Sequence, residues 1–423
     1  MRSINFSKLK SSLTGWNAAA YLLTEYLRSP QKADGLLDAL PFPDGSSARA
    51  QAQSLFLGAI RQGHRTRSTL HNFLKKTPRP EVQAIFLIAG HELFNSPPEK
   101  KPKIVHHAVE RAKESLSKPE ANLINAVLRK LPEAFESIDQ ENLAQYYSHP
   151  NWLVKQWTDQ FGRKDTEALL RWNQEIPPIH VKIPSANIPD ELIPTKWQGF
   201  YKLPTGKIPQ SVHALLQSGQ AYIKDPSTRI APQLLAVKPG DTVLDLCAAP
   251  GGKAFEMAQA MQGCGQITAV DLPSSRMDRL QANLSHLASN TLTTKIIQSD
   301  VLTLDRELLP DLFDAVMLDT PCSNTGVIQR RTDVKWRLTR DDISHCTHLQ
   351  SQLLHSAARF VKKGGRLVYS TCSIEQVENK NIIEHFLDSR SGEAFSLEKS
   401  VQSYPWDSGH DGAGATLLVR NTD

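Results

Sequence analysis

Residues 243–261 read VLDLCAAPGGKAFEMAQAM, and their parsing decides the fold. An apolar run, a turn of small residues with two glycines, and a longer amphipathic stretch make a strand, a tight turn and a helix. The same alternation continues on the C-terminal side. Apolar strands TVLDLC (242–247), QITAVDL (266–272), TKIIQSD (294–300), DAVMLDT (314–320) and RLVYSTCS (366–373) alternate with helical segments such as SRMDRLQANLSHLA (275–288) and HLQSQLLHSAARFV (348–361). Strands that read as buried on both faces, separated by helices, predict an α/β fold: a doubly wound, Rossmann-like parallel sheet over residues 225–423.

In such sheets ligands sit beyond the carboxyl ends of the strands. Gly251 and Gly252 allow close backbone approach, and the helix after them offers unpaired N–H groups. Asp271 ends the second strand twenty residues after Gly251, where a carboxylate grips the ribose hydroxyls of an adenosine cofactor. Asp300 ends the third strand and is placed to reach the adenine. The loop is neither G-x-G-x-x-G nor a P-loop, which disfavours a dinucleotide or a nucleoside triphosphate. An adenosine ligand without a phosphate tail fits, and S-adenosyl-L-methionine is the expected cofactor. Strand-end aspartates also cap helices, which is the plainer reading of Asp300.

Two thiols follow the fourth and fifth strands: Cys322 in LDTPCSNTG (318–326) and Cys372 in VYSTCS (368–373). Both should open on the cofactor's side of the sheet, each in an X-Cys-Ser context. A methyl donor beside a thiolate suggests a specific chemistry. Cytosine C5 is a poor nucleophile until a thiolate adds at C6 and makes C5 enamine-like; the C5 proton and the thiolate must then leave. Asp319 suits contact with the base's N3, if burial keeps a proton on it. Spacing alone leaves the two thiols nearly equal. An amine methyltransferase would have no use for them.

The rest of the chain bounds the setting. Residues 1–140 read as all-helical. IVHHAVERAKESL (104–116) puts Val105, Ala108, Val109, Ala112 and Leu116 on one face; AIFLIAGHEL (84–93) is apolar nearly all round; ANLINAVLRKL (121–131) has helical spacing. Adjacent His106 and His107 face apart and read as polar-face residues, not metal ligands. Residues 141–224 read as linker helices and a small α/β subdomain, with seven of the chain's 26 prolines between 176 and 210 and a short strand IHVKIP (179–184). Residues 1–150 carry 20 Lys/Arg against 14 Asp/Glu and the remainder 29 against 30, so the excess positive charge is N-terminal, as a polyanionic partner would favour. After Cys322, IQRRTDVKWRLTRDD (328–342) sets Arg330, Arg331, Lys335, Arg337 and Arg340 around Trp336, a pattern suited to phosphates and stacked bases. The five cysteines are odd in number, all lie after residue 240 and form no CxxC, indicating neither a disulfide framework nor a zinc site. No apolar stretch reaches membrane-spanning length and the start, MRSINFSKLKSSL, has no signal-peptide core. A cytoplasmic protein without membrane or metal partner, acting as a monomer, is expected.

At these motifs the chain resembles a known family. DLCAAPGGK (245–253), LDTPCSNTGVI (318–328), DVKW (333–336) and VYSTCSIEQVEN (368–379) resemble the RNA 5-methylcytosine methyltransferases of the NOL1/NOP2/Sun group, most closely their bacterial RsmB (Fmu) branch. LFLGAIRQG (55–63), AIFLIAGHELF (84–94) and EANLINAVLRKL (120–131) are similar to the NusB-like RNA-binding domain of that branch. The resemblance implies methylation of cytosine C5 in small-subunit (16S) ribosomal RNA, with transfer RNA as the alternative substrate and a catalytically vestigial assembly factor as a rival. It implies Cys372 as nucleophile and Cys322 as the assistant to product release. It also implies cofactor contacts from Cys247, Ala248, Ala249, Pro250, Gly251, Gly252, Lys253, Asp271, Asp300 and Asp319. Two stretches depart from the family pattern: IKDPSTR (223–229), where Lys224 stands in place of glutamine, and HDGAGATLL (410–418), which lacks aromatics after its Asp-Gly. Both are expected to affect how RNA is held.

Overall fold

The computed structural model describes residues 4, 6, 12–184, 187–204, 208–304 and 307–421. The chain forms two compact units, residues 1–176 with 328–337, and residues 177–327 with 338–423.

The first unit is helical. Its central helix, Pro80–Asn95, buries Val82, Ile85, Phe86, Leu87, Ile88 and Leu93, as its nearly continuous apolar sequence requires. Helices Gly15–Arg28 and Ser47–Arg61 pack on it through Trp16, Leu22, Leu23, Phe56 and Ile60. Helix Lys118–Leu128 starts with a capping box, Ser117 and Glu120 each bonding the other's backbone N–H. His106 is exposed and His107 packs edge-on against Trp16. Among the described residues no His/Cys/Asp/Glu group could hold a metal ion, and no helix is long and apolar enough to cross a membrane. The helical stretch Asn151–Trp172, kinked at Gly162, groups with this unit.

A strap from later in the chain completes the same unit. Residues 328–337 hold most of the cations expected to meet RNA, and the structure corrects that reading for Lys335. Lys335 is fully buried and donates from Nζ to the carbonyls of Arg61 (2.8 Å) and Ser148 (2.7 Å). Trp336 is half-buried, and its Nε1 donates to the Ile60 carbonyl at 2.9 Å. Arg337 pairs with Asp333 at 2.7 Å. Burial drives the pKa of Lys335 well below its ordinary value, with Arg61 and Arg65 adding to the effect. Lys335 and Trp336 therefore close backbone carbonyls of the helical unit, and Lys335 presents no surface to a ligand. Arg330 is half-buried, while Arg331 and Arg340 stay at the surface.

The second unit opens with a small antiparallel sheet. It consists of β1 (His180–Lys182), β2 (Ile193–Pro194), β3 (Phe200–Lys202) and β4 (Tyr222–Ile223), in the order β2-β3-β1-β4. Residues 185–186 and 205–207 of this proline-rich stretch lie outside the described residues. The main sheet has seven strands: β5 (Thr242–Leu246), β6 (Gly265–Asp271), β7 (Leu292–Gln298), β8 (Phe313–Asp319), β9 (Val361–Thr371), β10 (Phe395–Ser403) and β11 (Ala413–Arg420), ordered β10-β11-β9-β8-β5-β6-β7. The five predicted strands are present and mutually parallel. The sequence reading of a parallel sheet is incomplete, because β11 pairs antiparallel with both β9 and β10. Only the residues after 403 join β10 to β11, and such a short link permits antiparallel pairing only. Val243, Leu244, Leu246, Val316, Leu318 and Leu367 are completely buried, each stabilising by about 1.5–3 kcal/mol. Strand order reverses between β5 and β8, so a cleft opens beyond their carboxyl ends. The register Asp319↔Ser370 carries Cys322 and Cys372 past the same edge.

Candidate active site

The turn after β5 is shaped by its backbone. Cys247 and Gly251 have left-handed φ of 59° and 97°. A Cβ on Gly251 would lie 3.2 Å from Leu280 Cδ1, a close contact, but it is the backbone conformation that requires glycine there. Ala248 and Ala249 are buried, and the Pro250 carbonyl accepts from Asn283 Nδ2 at 2.7 Å. Helix Gly252–Ala260 then begins, with Lys253 in its first turn. Asp271, the last residue of β6, accepts from Ala249 N at 2.8 Å and from Leu272 N at 2.7 Å. The carboxylate expected at the ribose thus also fixes the loop. Asp300, just after β7, accepts from Leu302 N at 2.9 Å within a turn; no helix begins there, so the plainer reading of a helix cap does not apply.

Asp245, inside β5, is a feature that the sequence reading passed over. It is 1% exposed, and among the described residues neither carboxylate oxygen has a hydrogen-bond partner. Burial pushes its pKa up to about 8, opposed by Lys253 and reinforced by Asp319 and Asp271. A buried carboxyl group without a partner is costly. It fits a cradle completed by a ligand rich in donors and positive charge, as S-adenosylmethionine is with its ribose hydroxyls, ammonium and sulfonium. The available signal was a lone acid inside an otherwise apolar strand.

Lys253 Nζ meets Asp319 Oδ2 at 2.5 Å, and Asp319 Oδ1 accepts from Ser370 Oγ at 2.8 Å. Burial works against the Lys253 ammonium, but Asp319 and Asp245 outweigh it and hold its pKa above the ordinary value; a charge on Cys372 acts the same way. The Asp319 carboxylate thus has a lysine partner.

The two thiols are adjacent, with Cys322 Sγ 3.2 Å from Cys372 Sγ. Cys372 Sγ also lies 3.4 Å from Asn324 Oδ1, and Asn324 Nδ2 donates to the Cys322 carbonyl at 2.7 Å. The hydrogen bond with Cys372, then burial, raises the pKa of Cys322 well above that of an ordinary thiol. Both cysteines are half-buried. Burial likewise raises the pKa of Cys247, which suits a packing role for that residue.

The paired X-Cys-Ser motif has its cause in Glu378, which is fully buried. One of its oxygens accepts from Ser323 N (2.8 Å) and Gln350 Nε2 (3.0 Å); the other accepts from the hydroxyls of Ser323 and, at 2.5 Å, Ser373. One carboxylate thus ties both cysteine loops. Gly326 N donates to the Cys372 carbonyl at 3.0 Å and Gly412 N to the Gly326 carbonyl at 2.8 Å. A Cβ on Gly326 would come within 2.7 Å of that Cys372 oxygen. The Asp-Gly of the C-terminal stretch therefore braces the thiol loops. Asp225 Oδ1 accepts from Ser227 N at 2.9 Å and Asp411 N at 3.1 Å, connecting the two stretches that depart from the family pattern. Lys224 pairs with Glu256 at 2.6 Å and donates to the Gly252 carbonyl at 3.2 Å, and burial lowers its pKa to about 8. This departure lies against the cofactor helix.

The doubly wound sheet, the glycine turn after β5 and the carboxylates at the strand ends define a Rossmann-like methyltransferase unit. Comparison with known proteins takes this to a family. Residues 232–410 match the family model described as 16S rRNA methyltransferase RsmB/F, and residues 21–133 match that of the NusB family. The chain is 32% identical over 302 residues to the probable ribosomal RNA small subunit methyltransferase B of Bacillus subtilis (strain 168), spanning 67% of each protein. It is 31% identical over 341 residues to the protein of the same name from Coxiella burnetii (strain RSA 493 / Nine Mile phase I), spanning 73% of this chain and 78% of that one. The chain belongs to the ribosomal RNA small subunit methyltransferase B family, and its cofactor is S-adenosyl-L-methionine. Its fold is shared with the crystal structure of PH0851, with a TM-score of 0.74 and 23% identity over 96% of this chain and 99% of that one.

Proposed function

We propose that the protein methylates C5 of a cytosine in small-subunit ribosomal RNA through a covalent bond between Cys372 and C6 of the base. The observation that carries this reading is the pair of sulfur atoms 3.2 Å apart beside the Lys253–Asp319 pair. The names of the relatives and the N-terminal NusB match support the choice of RNA.

Lys253 supplies a cation near the Cys372 sulfur. Cys322, with its raised pKa, stays a thiol. Attack by the Cys372 sulfur pair on C6 pushes the C5–C6 electrons toward N3, where Asp319 and Lys253 are at hand. When bound, the cofactor supplies an electrophilic methyl group for the activated C5. Loss of the C5 proton to solvent leaves its bonding pair to re-form the C5–C6 double bond as the carbon–sulfur pair returns to Cys372, and the Cys322 thiol, already in hydrogen-bond contact, eases that departure.

Cys372→Ala should abolish both turnover and covalent capture of RNA. Cys322→Ala should accumulate a protein–RNA adduct that survives a denaturing gel. If Cys372→Ala trapped RNA and Cys322→Ala did not, the two roles would be exchanged.

A further inference from the structure

A second cavity in the sheet unit, outside the site described above, has a volume of about 520 Å³. It lies between the segment Arg229–Leu234 and the end of β10, and its lining includes Arg229, Lys399, Gln402, Tyr404, Asp407 and His410. Two cations and one carboxylate are among the lining residues, and burial lowers the pKa of His410, favouring its neutral form. Tyr404 is held in a stacked pair with Trp406, with ring centroids 4.7 Å apart and planes inclined by 17°.

Its position connects it to the thiols. β10 and β9 both pair antiparallel with β11, so they run in the same direction and end at the same edge of the sheet. Through Gly414, Gln402 is in register with Thr371, the residue before Cys372. Gln402 Nε2 also donates to the Ser373 carbonyl at 3.4 Å. Two strand spacings amount to about 10 Å, a distance that a neighbouring nucleotide of the same strand can cover.

We propose that this cavity is a subsite for an unpaired RNA nucleotide adjoining the target cytosine. Arg229 and Lys399 take its phosphate and the Tyr404 ring stacks its base. This rests on the reading of RNA as substrate. Cations flanking an aromatic surface are how proteins hold single strands with little regard to sequence, and an anchored neighbour would help draw the target out of its stack.

The test uses the full chain and a single-stranded oligocytidylate, with affinity measured without cofactor. Arg229→Ala and Tyr404→Ala should each bind about tenfold more weakly, with S-adenosylmethionine affinity unchanged as a check on folding. Lys399→Ala, on an exposed strand position, should lower the slope of log affinity against log salt by roughly 0.7. Affinities within twofold of the unaltered chain for both Arg229→Ala and Lys399→Ala overturn the subsite. Failure of the functional reading looks different: an unaltered chain that binds RNA yet leaves every cytosine C5 unmethylated, in which case the binding comparison still decides the subsite.

Discussion

Asp245 turns a geometric oddity into a measurable slope. An unfolded aspartate titrates near 3.9, whereas this one titrates at about 8 in the fold. Between those values the folded chain holds a proton that the unfolded chain lacks, so stability from this group is complete at low pH and lost as pH rises through 8. Relative to Asp245→Asn, the cofactor-free protein should lose about 1.4 kcal/mol of stability per pH unit between about pH 5 and 7, read from urea melts. Equal pH dependence in both proteins would contradict the environment described for this carboxyl. Glu378 acts on the thiols from behind. Glu378→Ala removes the acceptor of Ser323 and Ser373 and should cost about 3 kcal/mol. Single-turnover methylation should collapse while S-adenosylmethionine affinity in calorimetry changes little, since the cofactor loop is not among its partners.

At the scale of elements, the strap 328–337 is the clearest case of chemistry that means something other than its composition suggests. Lys335→Ala leaves the carbonyls of Arg61 and Ser148 without their donor and should destabilise the helical unit by about 2 kcal/mol. Arg331→Ala, at an exposed position, should stay within about 0.5 kcal/mol; melts of the two variants side by side give the answer. Cations around a tryptophan look the same in sequence whether they face phosphate or bury against backbone carbonyls, because their acceptors lie more than 180 residues away. The five parallel strands were legible because burial on both faces writes unbroken apolar runs, and the glycine turn because Gly251 has no alternative there. β10 escaped notice because it is mostly exposed or half-exposed and carries polar residues at successive positions. The clamp of Ser323, Ser373 and Glu378 was also illegible, since hydrogen bonds across 55 residues leave no local pattern. The repeated Cys-Ser pair marks both thiol loops, but nothing local to either copy points to the shared acid that its serines bind.

On the scale of the whole molecule, the helical unit is discontinuous in sequence. A fragment of residues 1–176 should therefore melt below the same unit in the full chain, with faster amide exchange in helix Ser47–Arg61, whose last carbonyls receive Lys335 and Trp336. S-adenosylmethionine at a hundredfold excess over its dissociation constant should stabilise the full chain by about 2.7 kcal/mol and do nothing for that fragment, which lacks every cofactor residue. The discontinuity also sets a schedule for the newborn polypeptide. A ribosome that has finished the first 176 codons must still translate the following stretch, through Val327, before the strap can emerge. At 5–20 residues per second that is a wait of roughly ten to thirty seconds, during which the nascent helices carry bare carbonyls that only later codons can cover.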